Sequence, residues 1–69
     1  MNQHELIIEY MQLFGSITPM QAFIDIGCTK LSTRIGELRR MGYPISSEWE
    51  YGKNRFGKPV FYKRYSLQE

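Results

Sequence analysis

Between Thr29 and Arg40 the chain places three short hydroxyls (Thr29, Ser32, Thr33), four cations (Lys30, Arg34, Arg39, Arg40) and one glycine, Gly36. Hydroxyls donate and accept hydrogen bonds, and the cations neutralise negative charge. A glycine lets a backbone lie close to another surface. This is the chemistry of recognising an anionic, hydrogen-bonding surface. A second cluster, Lys53, Asn54, Arg55 and Lys58, falls within residues 52–58, where there is no acid. Each cluster has a plainer account. The first could be an ordinary solvated helix face, although such faces are usually richer in Glu–Lys pairs. The second could be a hydrated turn whose lysines blunt a sheet edge.

Other chemistries find little support. Gly52-Lys53-Asn54-Arg55-Phe56-Gly57-Lys58 fits the G-x-x-x-x-G-K start of a phosphate-binding loop. The next residue is Pro59, where a Ser or Thr should hold magnesium. The segment also lies between two expected strands, and a phosphate-binding loop leads from strand into helix. His4 and Cys28 cannot close a zinc site, which takes four ligands. Cys28 reads as a small buried hydrophobe. Glu48 and Glu50 share a strand face beside cationic or aromatic neighbours, which suits a solvated edge better than a catalytic pair. The expectation is a non-enzyme with no metal and no cofactor.

The elements that position these residues follow from periodicity. Residues 2–14 carry Leu6, Ile7, Tyr10, Met11, Leu13 and Phe14 at helical spacing, and Gly15 supplies a stop. Ser16-Ile17 reads as an extended link of one or two strand residues. Thr18 is an N-cap candidate, Pro19 suits the first helical position, and Gln21 can complete a capping box. Met20, Ala22, Phe23, Ile24 and Ile26 are expected to give this short second helix its apolar cover, and Gly27 ends it. Thr29 is expected to cap a third helix running from Lys30 to about Met41. Leu31, Ile35 and Leu38 form its buried stripe, which puts Thr29, Thr33, Gly36 and Arg40 on the opposite face with Lys30, Ser32 and Glu37 flanking. Gly42 closes it, and Pro44 prevents resumption. Arg34 lies nearer the core edge, with an internal partner such as Asp25 or Glu37 weighed evenly against an external role. Glu37 would repel an anion unless it pairs with a neighbouring arginine.

Residues 44–51 and 59–67 alternate as strands do, with a turn-rich loop between them. Folding about Arg55 pairs Trp49 with Phe61, Ile45 with Tyr65, Glu48 with Tyr62 and Ser46 with Arg64. This register is expected to lay the aromatics against the helices. The whole reads as one domain, 1–69, of α+β class: three helices followed by a two-stranded antiparallel hairpin. The order helix, link, helix, turn, helix, strand, loop, strand is that of a winged helix-turn-helix, with the two-helix unit at 18–42 and the wing at 52–58.

Charge is unevenly distributed. Residues 1–28 hold Glu5, Glu9 and Asp25 and no Lys or Arg, for −3. All nine basic residues follow, opposed by Glu37, Glu48, Glu50 and Glu69, for +5 and a chain total of +2. Such polarity implies an anionic partner for the C-terminal part. At 42% hydrophobic the chain is too apolar to be disordered. No apolar run approaches the roughly 20 residues that span a bilayer. One cysteine excludes an internal disulfide and fits a reducing compartment. The chain therefore reads as soluble and cytoplasmic, with no membrane partner.

Thr18-Pro19-Met20-Gln21-Ala22, and then the run from Leu31 through Arg34-Ile35-Gly36-Glu37-Leu38-Arg39 to Gly42-Tyr43-Pro44-Ile45, resemble a family of small winged helix-turn-helix domains common in bacteriophages and prophages. The resemblance covers about residues 16–67. It implies DNA binding in a bacterial or phage-infected cytoplasm.

These readings meet in one expectation: a transcriptional regulator that binds double-stranded DNA. The third helix would enter the major groove, and the wing would reach backbone or minor groove. Thr29, Lys30, Ser32, Thr33, Gly36, Arg40, Lys53, Asn54, Arg55 and Lys58 would be the contacts. Arg40, at the far end of its helix, suits a phosphate. The competing expectation is a module of the same fold that docks on a host protein through its acidic N-terminal half, with Met1, Tyr10 and Met11 exposed. The apolar surplus on the first helix could form a homodimer seam or cover Trp49.

Overall fold

The computed structural model describes residues 1–68. Glu69, counted in the charge balance above, lies outside the described residues. Helix α1 (Gln3–Phe14) starts where the Asn2 side chain accepts a hydrogen bond from the Glu5 amide at 2.9 Å. It stops at Gly15, whose φ of 87° only glycine adopts without strain. Ile7 and Met11, one turn apart, are its buried pair. Leu13 and Phe14 remain exposed, with the Phe14 ring resting on Tyr10.

Ile17 then pairs with Tyr65, each amide bonding the other's carbonyl at 2.9 Å. The expected extended link is thus a single rung of sheet. Helix α2 (Pro19–Gln21) begins with the expected capping box. Thr18 accepts from the Gln21 amide, and the Gln21 side chain accepts from the Thr18 amide. The helix continues as a π-helical turn, Ala22–Ile26. That wider turn corrects the expected apolar cover: only Ala22 is buried and Ile26 half-buried, while Met20, Phe23 and Ile24 face solvent. With i→i+5 bonds each residue turns by less than in an α-helix, so Phe23 and Ile24 fall out of phase with the core; Met20, before this turn, is exposed on α2. Gly27 closes the turn in the left-handed region.

Helix α3 (Leu31–Arg40) starts one residue later than expected. Lys30 holds the N-cap position and no side chain caps it, so Thr29 is not the cap. Burial of Leu31, Ile35 and Leu38 sets the helix phase, and Thr29 falls outside it. At the far end the Gly42 amide bonds Arg39 and the Tyr43 amide bonds Leu38, the paired closure that a glycine at this position permits. Cys28 is buried beside these helices and belongs to the core with Ile7, Met11, Ile17, Ala22, Leu31, Ile35, Leu38, Ile45 and Tyr65.

Strands β1 (Ile45–Lys53) and β2 (Pro59–Leu67) pair antiparallel. The observed register centres on Phe56 rather than Arg55: Trp49 faces Lys63, Ile45 faces Leu67, Glu48 faces Arg64, Ser46 faces Ser66, and Tyr51 faces Phe61. The loop dictates this shift. Asn54 Oδ1 accepts from the amides of Phe56 and Lys58, and Gly57 takes a φ of 76°. Together they close a five-residue turn, Asn54–Lys58. Because partners slip by two, every side chain keeps its expected face while its neighbours change.

The aromatics do not pack on the helices. Trp49 is 69% exposed, Tyr51 72% and Phe61 68%; only Ile45 and Tyr65 at the hairpin root are buried. Length explains this. Nine strand residues reach about 30 Å, whereas the ten residues of α3 extend about 15 Å. The outer half of the hairpin must overhang, giving a molecule of 38 × 21 × 21 Å. Helix α1 therefore does not cover Trp49. Among the described residues, no helix is long and apolar enough to cross a membrane.

Candidate nucleic-acid interface

Helix α3 sorts its polar residues into two sets. Arg34, Glu37 and Arg39 are engaged within the molecule. Arg34 donates through Nε to Gln3 at 3.1 Å and through a terminal nitrogen to Glu37 at 2.8 Å. The same Glu37 oxygen lies 2.8 Å from His4 Nε2. Arg39 donates through Nε to the Ile45 carbonyl, tying α3 to the hairpin root. Of the two partners weighed for Arg34, Glu37 is the one used. Asp25 instead accepts from the Tyr10 hydroxyl at 2.6 Å.

The second set is free. Among the described residues, Thr29, Lys30, Ser32, Thr33 and Arg40 make no side-chain hydrogen bond or ion pair, and all five are exposed. Gly36 lies between them, one turn from both Ser32/Thr33 and Arg40. A methyl group built on it would meet nothing within 4 Å, so packing does not require a glycine there. The uncapped N-terminus leaves the first α3 amides without side-chain partners, beside the Lys30 ammonium. Unpaired amides and the helix dipole favour an anion at such an end.

The hairpin tip gathers Lys53, Asn54, Arg55 and Lys58, all exposed. Asn54 differs from the other three. Its amide oxygen is consumed by the turn, so it positions the loop that carries the cations. Among the described residues, no hydrogen bond or ion pair joins this group to the α3 group.

The electrostatics follow this sorting. Hydrogen bonds from Arg34 first, and then from His4, hold the Glu37 carboxyl below its ordinary value. Arg64 does the same for Glu50 through a two-nitrogen grip, while its remaining terminal nitrogen donates to Ser16. Both carboxylates are thus partnered by arginines and do not oppose the free cations. The hydrogen bond to Asp25 raises the Tyr10 phenol above its usual range.

Sequence reasoning missed two features. Gln3 and His4 are partners of the α3 charge cluster from more than thirty residues away, and no local spacing signals that. The exposed rings of the hairpin were expected inside. Comparing strand length with helix length would have revealed them.

No curated protein and no solved structure matches the chain in the comparisons made. A family model described as a winged helix-turn-helix domain matches residues 2–69. That span takes in all three helices, the Ile17 rung and the hairpin, and the fold it describes is one that suggests DNA binding. The chain belongs to the winged helix-turn-helix domain family.

Proposed function

We propose that this chain is a duplex DNA-binding regulator that lays the outer face of α3 in the major groove. The observation that carries the reading is the division within α3. Arg34, Glu37 and Arg39 are tied inward, whereas Lys30, Ser32, Thr33 and Arg40 are exposed and unpartnered among the described residues. Side chains that make no internal bonds are available to base edges and phosphates at no cost to the fold. Lys30 and the open amides of Leu31, Ser32 and Thr33 suit one phosphate, and Arg40 suits another a helix length away. Ser32, Thr33 and the bare backbone at Gly36 approach the bases. Lys53, Arg55 and Lys58 touch the flanking backbone or minor groove, with Asn54 shaping their loop. Thr29, outside the helix, is left to contact the backbone beside Lys30. The resemblance to phage and prophage domains supports a transcriptional regulator acting in a bacterial cytoplasm.

Gel retardation with a genomic fragment pool at low salt tests this. Retention is expected, and it should weaken steeply as salt rises because phosphate contacts release counterions. Lys30→Glu with Arg40→Glu should abolish it. Absence of retention at low salt overturns the proposal.

A further inference from the structure

The hairpin divides its side chains unequally between its two faces. Trp49, Tyr51, Phe61 and Lys63 share one face, because residues two apart on a strand point the same way and Trp49 opposes Lys63 while Tyr51 opposes Phe61. Glu48 and Glu50 lie on the other face, where Arg64 grips Glu50. The outer half of the first face is therefore aromatic and cationic and carries no carboxylate. It is not covered by the helices, and its three rings are each about 70% exposed. The Tyr51 and Phe61 ring centroids lie 6.1 Å apart, tilted by 45°. The Lys63 ammonium sits 5.1 Å from the centre of the Trp49 indole.

Cross-strand ring contact alone could account for Tyr51 and Phe61, as stiffening of a long hairpin. It does not account for Trp49, whose cross-strand neighbour is a lysine, nor for the confinement of both acids to the far side. Exposed rings beside cations on a sheet surface form a platform on which unpaired bases stack while the phosphates meet ammonium groups. The absence of carboxylates beside these rings, with Lys63 among them and Lys53 next along the strand, suits a polyanion.

The geometry points to a second nucleic-acid site on this protein: the Trp49–Tyr51–Phe61–Lys63 face binds single-stranded DNA by base stacking. It rests on the duplex-binding reading only for the choice of DNA as the nucleic acid. The basic tip at Lys53, Arg55 and Lys58 continues the site along the strand, so one hairpin can serve duplex at its tip and an unpaired strand along its face.

Trp49 is the only tryptophan and reports directly on its own site. Titrating the full chain with an oligothymidylate of about 12 nucleotides, within the site sizes of stacking platforms, should quench its emission saturably. An abasic strand of the same length and charge should leave it unquenched. Phe61→Ala and Tyr51→Ala should each weaken binding by roughly tenfold, the scale of one lost stacking contact. Phe61→Leu, which keeps an apolar side chain of similar bulk and removes only the π face, should weaken binding too. Duplex retention should survive Phe61→Leu and be lost in the Lys30→Glu, Arg40→Glu pair, so the two readings fail separately. The proposal is overturned if oligothymidylate leaves the emission unchanged, if Phe61→Leu binds as well as the parent, or if the abasic strand quenches equally. It is also overturned if an oligoglutamate peptide or anionic phospholipid vesicles shift the emission where oligothymidylate does not. Concentration-dependent self-association that Phe61→Leu removes would instead assign the face to a second copy.

Discussion

Gly36 sits mid-helix with open space where a side chain would be. Glycine there costs about 0.5–1 kcal/mol relative to alanine, and no packing need offsets the cost. A position that weakens the fold without a structural reason is a candidate for close approach by a partner. Gly36→Ala should therefore raise stability by roughly 0.5–1 kcal/mol in urea unfolding. It should also lower affinity for specific duplex by about tenfold, the size of one lost base contact. A rise in stability with unchanged affinity would show that the groove surface does not pass over Gly36. Arg34 makes the opposite case. In the sequence an internal partner and an external role weigh evenly for it, and in the fold its Nε is donated to Gln3 and one terminal nitrogen to Glu37. The i,i+3 spacing already offered Glu37, but nothing local points to Gln3, which lies more than thirty residues away and meets Arg34 only once α1 has packed on α3.

At the scale of elements, the wing depends on Asn54. With its oxygen bonded to the Phe56 and Lys58 amides, the turn is closed from inside by one side chain. Asn54→Ala should speed hydrogen exchange at these two amides while those of α1 and α3 keep their protection, as read by NMR. If exchange at Phe56 and Lys58 stays unchanged, backbone bonds alone hold the turn. The same asparagine explains a limit of sequence reading. Alternation gave the two strands and the correct faces, because period two survives any even slip. It could not give the register, which depends on how a polar loop folds on itself. Helix boundaries were legible where a recognised cap or a glycine marks them, as at Gly15 and Thr18–Gln21. They were displaced at Thr29, where burial of Leu31 decides the start. The π-helical turn has no signature in the order of apolar residues, so Phe23 and Ile24 were placed inside. The exposed face of α3 was legible from phase alone, whereas the exposed rings needed the relative lengths of two elements.

For the molecule as a whole, acid and base act on different contacts. Glu37 and Glu50 are held below the ordinary carboxylate value of 4.5 in the folded chain, so folding disfavours their protonation. Their contribution is full above pH 4.5 and is lost as pH falls through the lowered folded values. The Tyr10 phenol is raised, so its contribution is full below pH 10.0 and fades as pH climbs through the folded value. Urea midpoints measured against pH should form a plateau that declines at both ends. Glu37→Gln with Glu50→Gln should flatten the acid limb, and Tyr10→Phe the alkaline one. An acid limb unmoved by the double change would assign acid unfolding to other carboxyls.

The buried Cys28, 1% exposed at the junction of α2 and α3, has a consequence for measurement. As the single thiol in the chain, it is a built-in clock for opening of the core. A thiol reagent meets it only when the helices part, so the labelling rate reports how often this protein breathes. Labelling should be slow in buffer and accelerate with urea in step with loss of helical signal. Labelling that is fast in buffer would mean that the helix-turn-helix opens without the rest of the fold.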